Sequence, residues 1–433
     1  MKHTIFALAS AQGRAGVSVI RTSGPQALAV AGQLTGKILM PRQATYAALV
    51  YGDEIIDQAI VIAFQAPRSF TGEDSVEYHV HGSAAVLDRL YGIFDGLGLR
   101  LAEPGEFSRR ALENGKLDLT QAEAIADLVD AESEAQRRQA LTQLDGGLKR
   151  QYENWRQGLI DLLARVEVYI DFPDEDLPET LQTDILSRIA GLRNDLDRAV
   201  VDSRRGRQVR EGYRIVILGE PNAGKSSLFN TLLKAEAAIV TPIAGTTRDV
   251  IEAQLRIGPY TVLLYDTAGL RETDELVEAE GIRRARNKAD AADLRLWVVD
   301  GTRADIDVND VKPEDLLVFS KADLAPAPDV SRETHAVSLT TLDGVVDLIA
   351  AIERRVMTEL STRTFPAATR QRHIDRLIEA RDELDAALSS QLRVPELTAE
   401  HIRQAVNAFD ALFGRYDVEG ILDVVFSTFC IGK

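Results

Sequence analysis

Apolar and polar positions change their period several times along the chain, and each change predicts a different kind of structure. Up to about residue 117, short runs with strand-like alternation (4–9, 17–21, 59–64, 75–81) interleave with stretches of three- and four-residue apolar spacing (26–34, 84–97), punctuated by glycine and proline. Period two predicts half-buried strands and period 3.6 predicts amphipathic helices, so this part reads as an α/β domain. From residue 119 the pattern turns helical over 121–144 and 152–169, with almost no glycine or proline inside. A Pro- and Asp-rich interruption at 171–178 separates these from a helix over 181–201. Arg204-Arg205-Gly206-Arg207 then reads as a solvated hinge that could touch RNA. Between 210 and about 360, apolar runs (214–218, 261–265, 294–299, 316–319, 336–338) alternate with helical ones, which predicts a mostly parallel sheet covered by helices. Helical texture returns over 371–392 and 399–413. The economical fold is multidomain α/β and all-α, with domains at 1–117, 118–209, 210–362 and 363–433 and the third inserted into the helical one.

Composition narrows the class. A chain of 433 residues exceeds one ordinary core, and 45% apolar with 27% charged residues describes a soluble globular protein. The formal charge of −17 argues against a broad basic surface that coats nucleic acid, while leaving room for a local patch. Cys430 is the single cysteine, so no intrachain disulfide is possible and a reducing, cytoplasmic location is expected. The first eleven residues faintly mimic a secretory signal, but the apolar stretch is too short and Gln12 and Arg14 follow at once. No run reaches membrane-spanning length, so no stable membrane insertion is expected.

The chemistry concentrates in the third domain. Gly219-Glu220-Pro221-Asn222-Ala223-Gly224-Lys225-Ser226-Ser227 is a complete G-x-x-x-x-G-K-S loop between an apolar run and a helical pattern. In that context backbone N–H groups close around nucleotide phosphates, Lys225 reaches the outer ones and the Ser226 hydroxyl ligates Mg²⁺. Asp266-Thr267-Ala268-Gly269 ends a later strand, where Asp266 can hold the Mg²⁺ shell through water and the Gly269 amide can sense the γ-phosphate. Between them, Thr247 of Gly245-Thr246-Thr247 suits a second hydroxyl ligand to Mg²⁺. Ser320-Lys321-Ala322-Asp323 occupies the place of a guanine-reading Asn-Lys-x-Asp. Asp323 can accept from the guanine edge, the Lys321 stem can cover the ring, and serine in the first position removes an amide that would brace the loop. Ser338 falls in the expected last base-contacting segment. Leu270 stands where many switch GTPases keep a water-orienting glutamine, which leaves Glu272, Glu275, Glu278 and Glu280 as nearby carboxylates.

Taken with Gly13–Val17, Arg21–Pro25, Phe70–Asp74, Pro104–Ser108, Lys116–Leu119, Gln121–Ile125 and the terminal Cys430-Ile431-Gly432-Lys433, these segments resemble the bacterial tRNA-modification GTPases of the MnmE (TrmE) type over essentially the whole chain. The resemblance implies a homodimer through the N-terminal domain, a one-carbon tetrahydrofolate site there (formyl or methylene form) and an FAD-containing partner of the MnmG (GidA) type. With that partner, the family adds an aminomethyl or carboxymethylaminomethyl group to carbon 5 of a tRNA wobble uridine. By matched positions, Arg21, Glu77, Lys116 and Lys433 contact the folate. Asn222 ligates K⁺ with help from Thr241, Ile243 and Thr246 in the stretch that also holds Pro242 and Ala244. Glu278 orients the hydrolytic water and Cys430 matches a terminal cysteine with a catalytic role. The expected activity is K⁺-stimulated GTP hydrolysis driven by dimerisation of the GTPase domains, with bound GTP or GDP. The rival readings are a GTP-dependent ribosome-assembly or RNA-binding switch, against which the N-terminal domain and the Cys-Ile-Gly-Lys end argue, and an ATPase adaptor, against which Asp323 argues.

Overall fold

A computed structural model describes residues 3–171, 179–235, 251–266, 290–303, 311–326, 333–361, 365–415, 419–427, 429 and 432. Contacts divide the chain into one unit of Met1–Val129, Gln143–Asn194 and Arg376–Lys433, and another of Asp130–Thr142 and Asp195–Asp375.

In the first unit, strands β1 (Ile5–Leu8), β2 (Ala15–Ser23), β3 (Thr45–Tyr51), β4 (Glu54–Phe64), β5 (Ser75–Gly82) and β6 (Arg100–Leu101) form a sheet in the order β3-β4-β5-β2-β1-β6. All pairings are antiparallel except β1 with β6. Alternate residues leave opposite faces of a strand. Phe6, Ile20, Val61, Val76 and Tyr78 therefore pack together beneath α1 (Ala27–Thr35) and α2 (Ala84–Gly96). The register Ala7–Arg21–Glu77–Ile62 lies on the other face. There α3 (Glu106–Glu113) brings Phe107 against Ile5 and Ala7. Strand β3 was not expected, because its outward Tyr46 blurs the polar–apolar contrast, and β6 is only two residues long.

The helix expected over 121–144 is two, α4 (Leu119–Val129) and α5 (Glu134–Leu144). The cause is a reciprocal cap: the Gln136 amide N–H donates to Ser133 Oγ at 3.3 Å while Gln136 Oε1 accepts from the Ser133 N–H at 2.9 Å. Such a Ser-x-x-Gln box satisfies the free donors of a new helix and so starts one. α6 (Gly147–Asp171) follows, and then α7, which runs unbroken from Glu179 to Glu211. The expected arginine-rich hinge is thus helix. Its charges are engaged locally: Arg204 lies 3.5 Å from Asp293, Arg205 3.2 Å from Asp202, and Arg207 donates to Gln371 at 2.9 Å. Gly206, costly in a helix by about 1 kcal/mol relative to alanine, is there because a Cβ would stand 2.1 Å from the Ala368 carbonyl oxygen.

The second unit holds β7 (Tyr213–Gly219), α8 (Lys225–Ala235), β8 (Ile251–Ile257), β9 (Tyr260–Asp266), β10 (Leu294–Asp300), β11 (Leu316–Ser320), β12 (Thr334–Ala336) and α9 (Val345–Leu360). Strand order is β12-β11-β10-β7-β9-β8, parallel throughout except for the β8–β9 hairpin. Ile215, Ile217, Val262, Leu264, Leu296, Val298 and Val318 form its core with Leu228, Leu348 and Ile352. The last strand, expected at 336–338, lies two residues earlier. β8 was not expected, although Ala253, Leu255 and Ile257 do alternate and are buried. It pairs through a hairpin and so has no helix to announce it. Beyond this domain, α10 (Gln371–Ser390), α11 (Pro395–Phe413) and α12 (Glu419–Ser427) complete the helical part. Tyr152 and Trp155 of α6 meet Phe409 of α11, with Phe413 edge-on to Tyr152, and Arg156 pairs with Asp410 at 2.8 Å.

Candidate functional site

Parallel pairing puts Gly219, Asp266, Asp300 and Ser320, the last residues of β7, β9, β10 and β11, along one edge of the sheet. Open α/β sheets bind ligands at that edge, where the loops leave the strands. The loop after β7 begins where a Cβ on Gly219 would come within 2.0 Å of the Val298 carbonyl oxygen, so only glycine lets the chain turn there. Asn222 and Gly224 take left-handed conformations (φ 63° and 96°), which turn successive peptides of the loop. Lys225 is buried, and its Nζ donates to the Glu220 carbonyl at 2.7 Å. Ser226 and Ser227 are exposed at the start of α8. Asp266 is fully buried, with Ile217 and Ile251 as its strand partners.

The loop after β11 is tied to this one. Ser320 is buried, and its hydroxyl donates to the Ala223 carbonyl at 2.6 Å, with the Val299 carbonyl at 3.2 Å as its alternative acceptor. The expectation that serine removes the brace is therefore corrected: the hydroxyl itself braces the loop. One hydroxyl carries one proton, so only one of the two carbonyls is served at a time. Lys321 (φ 60°) pairs with Asp300 at 2.5 Å, and Asp300 also accepts from the Thr302 N–H and hydroxyl. The Lys321 ammonium, foremost, and the Thr302 hydroxyl hold the Asp300 carboxyl down to about 2. Ala322 N–H donates to the Val337 carbonyl at 3.1 Å, and Ser338 is buried with its hydroxyl accepting from the Thr341 N–H. Asp323 is exposed. These residues fit a guanine nucleotide with Mg²⁺: a glycine-shaped loop, a buried ammonium, a free-standing hydroxyl and a carboxylate share the edge, next to a second loop ending in Asp323.

In the N-terminal sheet, Arg21 and Glu77 are register partners, and Arg21 Nε and Nη2 donate to Glu77 Oε1 at 3.1 and 2.9 Å. The guanidinium lies 5.3 Å from the Phe70 ring centroid and 5.8 Å from that of Phe107, within cation–π range. Lys116 is exposed and lies over the same loop as Phe70, its Cε 3.3 Å from where a Gly72 Cβ would stand. Gly432 of the terminal motif sits on the end of β1, where a Cβ would come 2.0 Å from the Leu8 carbonyl oxygen. Arg21, Glu77 and Lys116 are thus gathered about the Phe70–Gly72 loop. A guanidinium pinned beside two aromatic rings, a carboxylate and a lysine suit a flat heterocycle bearing carboxylates.

Thr241, Pro242, Ile243, Ala244, Gly245, Thr246, Thr247, Thr267, Ala268, Gly269, Glu278, Cys430 and Lys433 lie outside the described residues. The sequence reading missed Asp300, which engages Lys321, and Gln136, whose capping-box spacing from Ser133 was the available signal.

A model of the "MnmE helical domain" matches residues 119–430, and one of the "GTP-binding protein TrmE N-terminus" matches residues 4–116. The tRNA modification GTPase MnmE of Caulobacter vibrioides is 50% identical, with 100% of each chain covered. That of Rhodospirillum rubrum is 48% identical over 99% of each. Among solved structures, the G domain of the T. maritima FeoB iron transporter is 22% identical, covering 34% of this chain and 99% of its own at a TM-score of 0.26. Likeness at half identity from end to end, joined to both family models, places the chain in the MnmE family of tRNA modification GTPases.

Proposed function

We propose that the chain is a K⁺-stimulated GTPase that acts, with an FAD-containing partner, to add an aminomethyl or carboxymethylaminomethyl group to carbon 5 of the wobble uridine of certain tRNAs. The observation that carries the GTPase part is the Ser320–Ala223 hydrogen bond, which joins the phosphate loop to the loop ending in Asp323. Joined in this way, the two loops would together reach both ends of a guanine nucleotide. Lys225 would bring its charge to the outer phosphates, Ser226 would hold Mg²⁺, and Asp266 would accept from the ion's water. Asp323 would accept from the guanine edge, and adenine would leave it unsatisfied. The bound triphosphate supplies a phosphoanhydride bond for water to cleave. Asn222, in its left-handed turn, would offer K⁺ a neutral oxygen, with Thr241, Ile243 and Thr246, and Glu278 would orient the water. Dimerisation of two GTPase domains would complete this arrangement.

The N-terminal site would hold a one-carbon tetrahydrofolate, which supplies the carbon, through Arg21, Glu77, Lys116 and Lys433. Arg21 and Lys116 pair with carboxylates and Glu77 bonds a pterin edge. Support comes from the clustering of Arg21, Glu77 and Lys116 and from Gly432, which carries the terminal motif onto β1. A homodimer, a tRNA substrate and a cytoplasmic location belong to the same reading. Among the described residues no helix is long and apolar enough to cross a membrane. The test is nucleoside analysis of tRNA from a deletion strain carrying either this chain or Lys225→Ala, beside GTP turnover in K⁺ and in Na⁺ at equal ionic strength. The expected results are loss of the modified wobble uridine with Lys225→Ala, and much faster turnover in K⁺. Equal modification by both chains, or equal rates in the two salts, overturns the corresponding part.

A further inference from the structure

One side chain, Gln136 near the start of α5, ties three separate elements of the second unit together. Its Oε1 accepts from the Glu132 N–H at 2.9 Å, the Ser133 N–H at 2.9 Å, the Ser133 hydroxyl at 3.0 Å and the Thr261 hydroxyl at 3.2 Å. Its Nε2 donates to the Arg210 carbonyl at 3.0 Å, one residue before the end of α7. A helix cap requires only the contacts with Ser133. The bonds to Thr261 and Arg210 go beyond capping: they connect the α5 start to the β8–β9 hairpin and to the segment that feeds β7.

The hairpin is gripped on both strands by the same few residues. The Ala135 N–H donates to the Pro259 carbonyl at 2.9 Å, Gln254 donates to the Glu132 carboxylate, and Arg256 donates to the Glu132 carbonyl. β9 then runs from Thr261 to Asp266, paired along its length with β7 on one side and β8 on the other. The five steps from Thr261 to Asp266 span about 17 Å. A doubly paired strand of that length moves as a rod, so the position of Asp266 at the nucleotide edge depends on how the Thr261 end is held. Arg210, the third partner, leads within three residues into β7 and from there into the phosphate loop. Two of the four strands that end at the candidate nucleotide site, β7 and β9, are therefore anchored at their far ends through one amide.

We infer that Gln136 is a positioning residue for GTP hydrolysis, fixing the far ends of β7 and β9 so that the phosphate loop and Asp266 keep one mutual register. The inference rests on the GTPase reading above. Coupling between sites is reciprocal, so an element docked at α5 would bias the nucleotide site through the same amide.

Two substitutions separate this role from capping. Gln136→Glu keeps the acceptor contacts, the cap included, and puts a carboxylate oxygen in place of the donor, facing the Arg210 carbonyl. Thr261→Val deletes only the hydroxyl. On the full chain, each is expected to lower kcat about fivefold, the effect of one net hydrogen bond, with KM changed less than about twofold and the melting transition close to wild type. Because both act through one joint, the double variant is expected to be no slower than the slower single. Thr261→Ser, which retains the hydroxyl, is expected to turn over like wild type. Single variants with wild-type kcat, fivefold losses that multiply in the double variant, or a Thr261→Ser loss equal to that of Thr261→Val overturn the inference. A wild-type chain that neither binds nor hydrolyses GTP overturns the functional reading and this inference with it.

Discussion

The Ser320 hydroxyl reaches the Ala223 carbonyl oxygen across 2.6 Å and thereby fastens the end of β11 to the loop after β7. Both groups are buried, so the bond is made without competition from water. Ser320→Ala leaves the Ala223 carbonyl without this donor. The expected outcome is GDP binding weakened by about 1 kcal/mol, the usual net worth of such a bond. Titration with a fluorescent guanine nucleotide reads it directly, and unchanged affinity would show that the two loops hold their positions without the hydroxyl.

Asp300 and Lys321 form the second tie at the same edge. The Asp300 carboxyl is held at about 2 against an ordinary 3.8, chiefly by the Lys321 ammonium. A depressed carboxylate stabilises the fold above its unfolded value and loses that contribution as pH falls through the folded one. The pair is therefore expected to persist across the neutral range and to fail only between about pH 4 and pH 2. A carbon-detected NMR titration that placed the Asp300 midpoint near 4 would contradict the pairing, and Asp300→Asn is expected to loosen guanine-nucleotide binding at pH 7.

At Gly219 the prediction is steric. A Cβ would stand 2.0 Å from the Val298 carbonyl oxygen, and the backbone is at φ 139°, where side chains are strained. Gly219→Ala is expected to lower stability by about 2–4 kcal/mol, seen as a downward shift of the melting transition and weakened nucleotide protection. A melting curve that overlays wild type would show that β7 and β10 can part cheaply.

In the N-terminal domain, Arg21→Ala removes the guanidinium that lies within cation–π range of Phe70 and Phe107 and takes the ion-pair partner from Glu77 Oε1. Calorimetry with a formyl- or methylene-tetrahydrofolate is expected to show at least a tenfold loss of affinity, the scale of a charge-assisted pair at about 1.5–3 kcal/mol, while GTP turnover persists. Full folate affinity in Arg21→Ala would remove this residue from the site.

How far the sequence carried the argument depended on whether a feature was local. The phosphate loop and Asp266 were legible because their chemistry is written in consecutive residues beside an apolar strand. The Arg21–Glu77 pair joins residues 56 positions apart, and their strands alone say nothing of register, so the pairing came into view only with the fold. α5 could have been separated from α4 by the Ser133-x-x-Gln136 spacing, yet the apolar period runs across the break and masks it. Arg204–Arg207 misled for the opposite reason. Clustered charge suggests solvent, whereas the fold supplies carboxylates and a glutamine to meet it. Ser320 departs from the expected asparagine, and only its distance to Ala223 reveals that the hydroxyl ties the two loops together.

Gly206 has a consequence for how this architecture could arise. Where α7 touches the chain at Pro366 and Ala368, the backbone entering the GTPase domain and the backbone leaving it run within a side chain's width of each other. Entry and exit points that close together allow a whole domain to be spliced into a loop without stretching its host, as in tolerated insertions elsewhere. At Gly206 the chain before β7 and the chain at Pro366 and Ala368 therefore meet at one point. The missing side chain at position 206 is what lets the two passing backbones fit there.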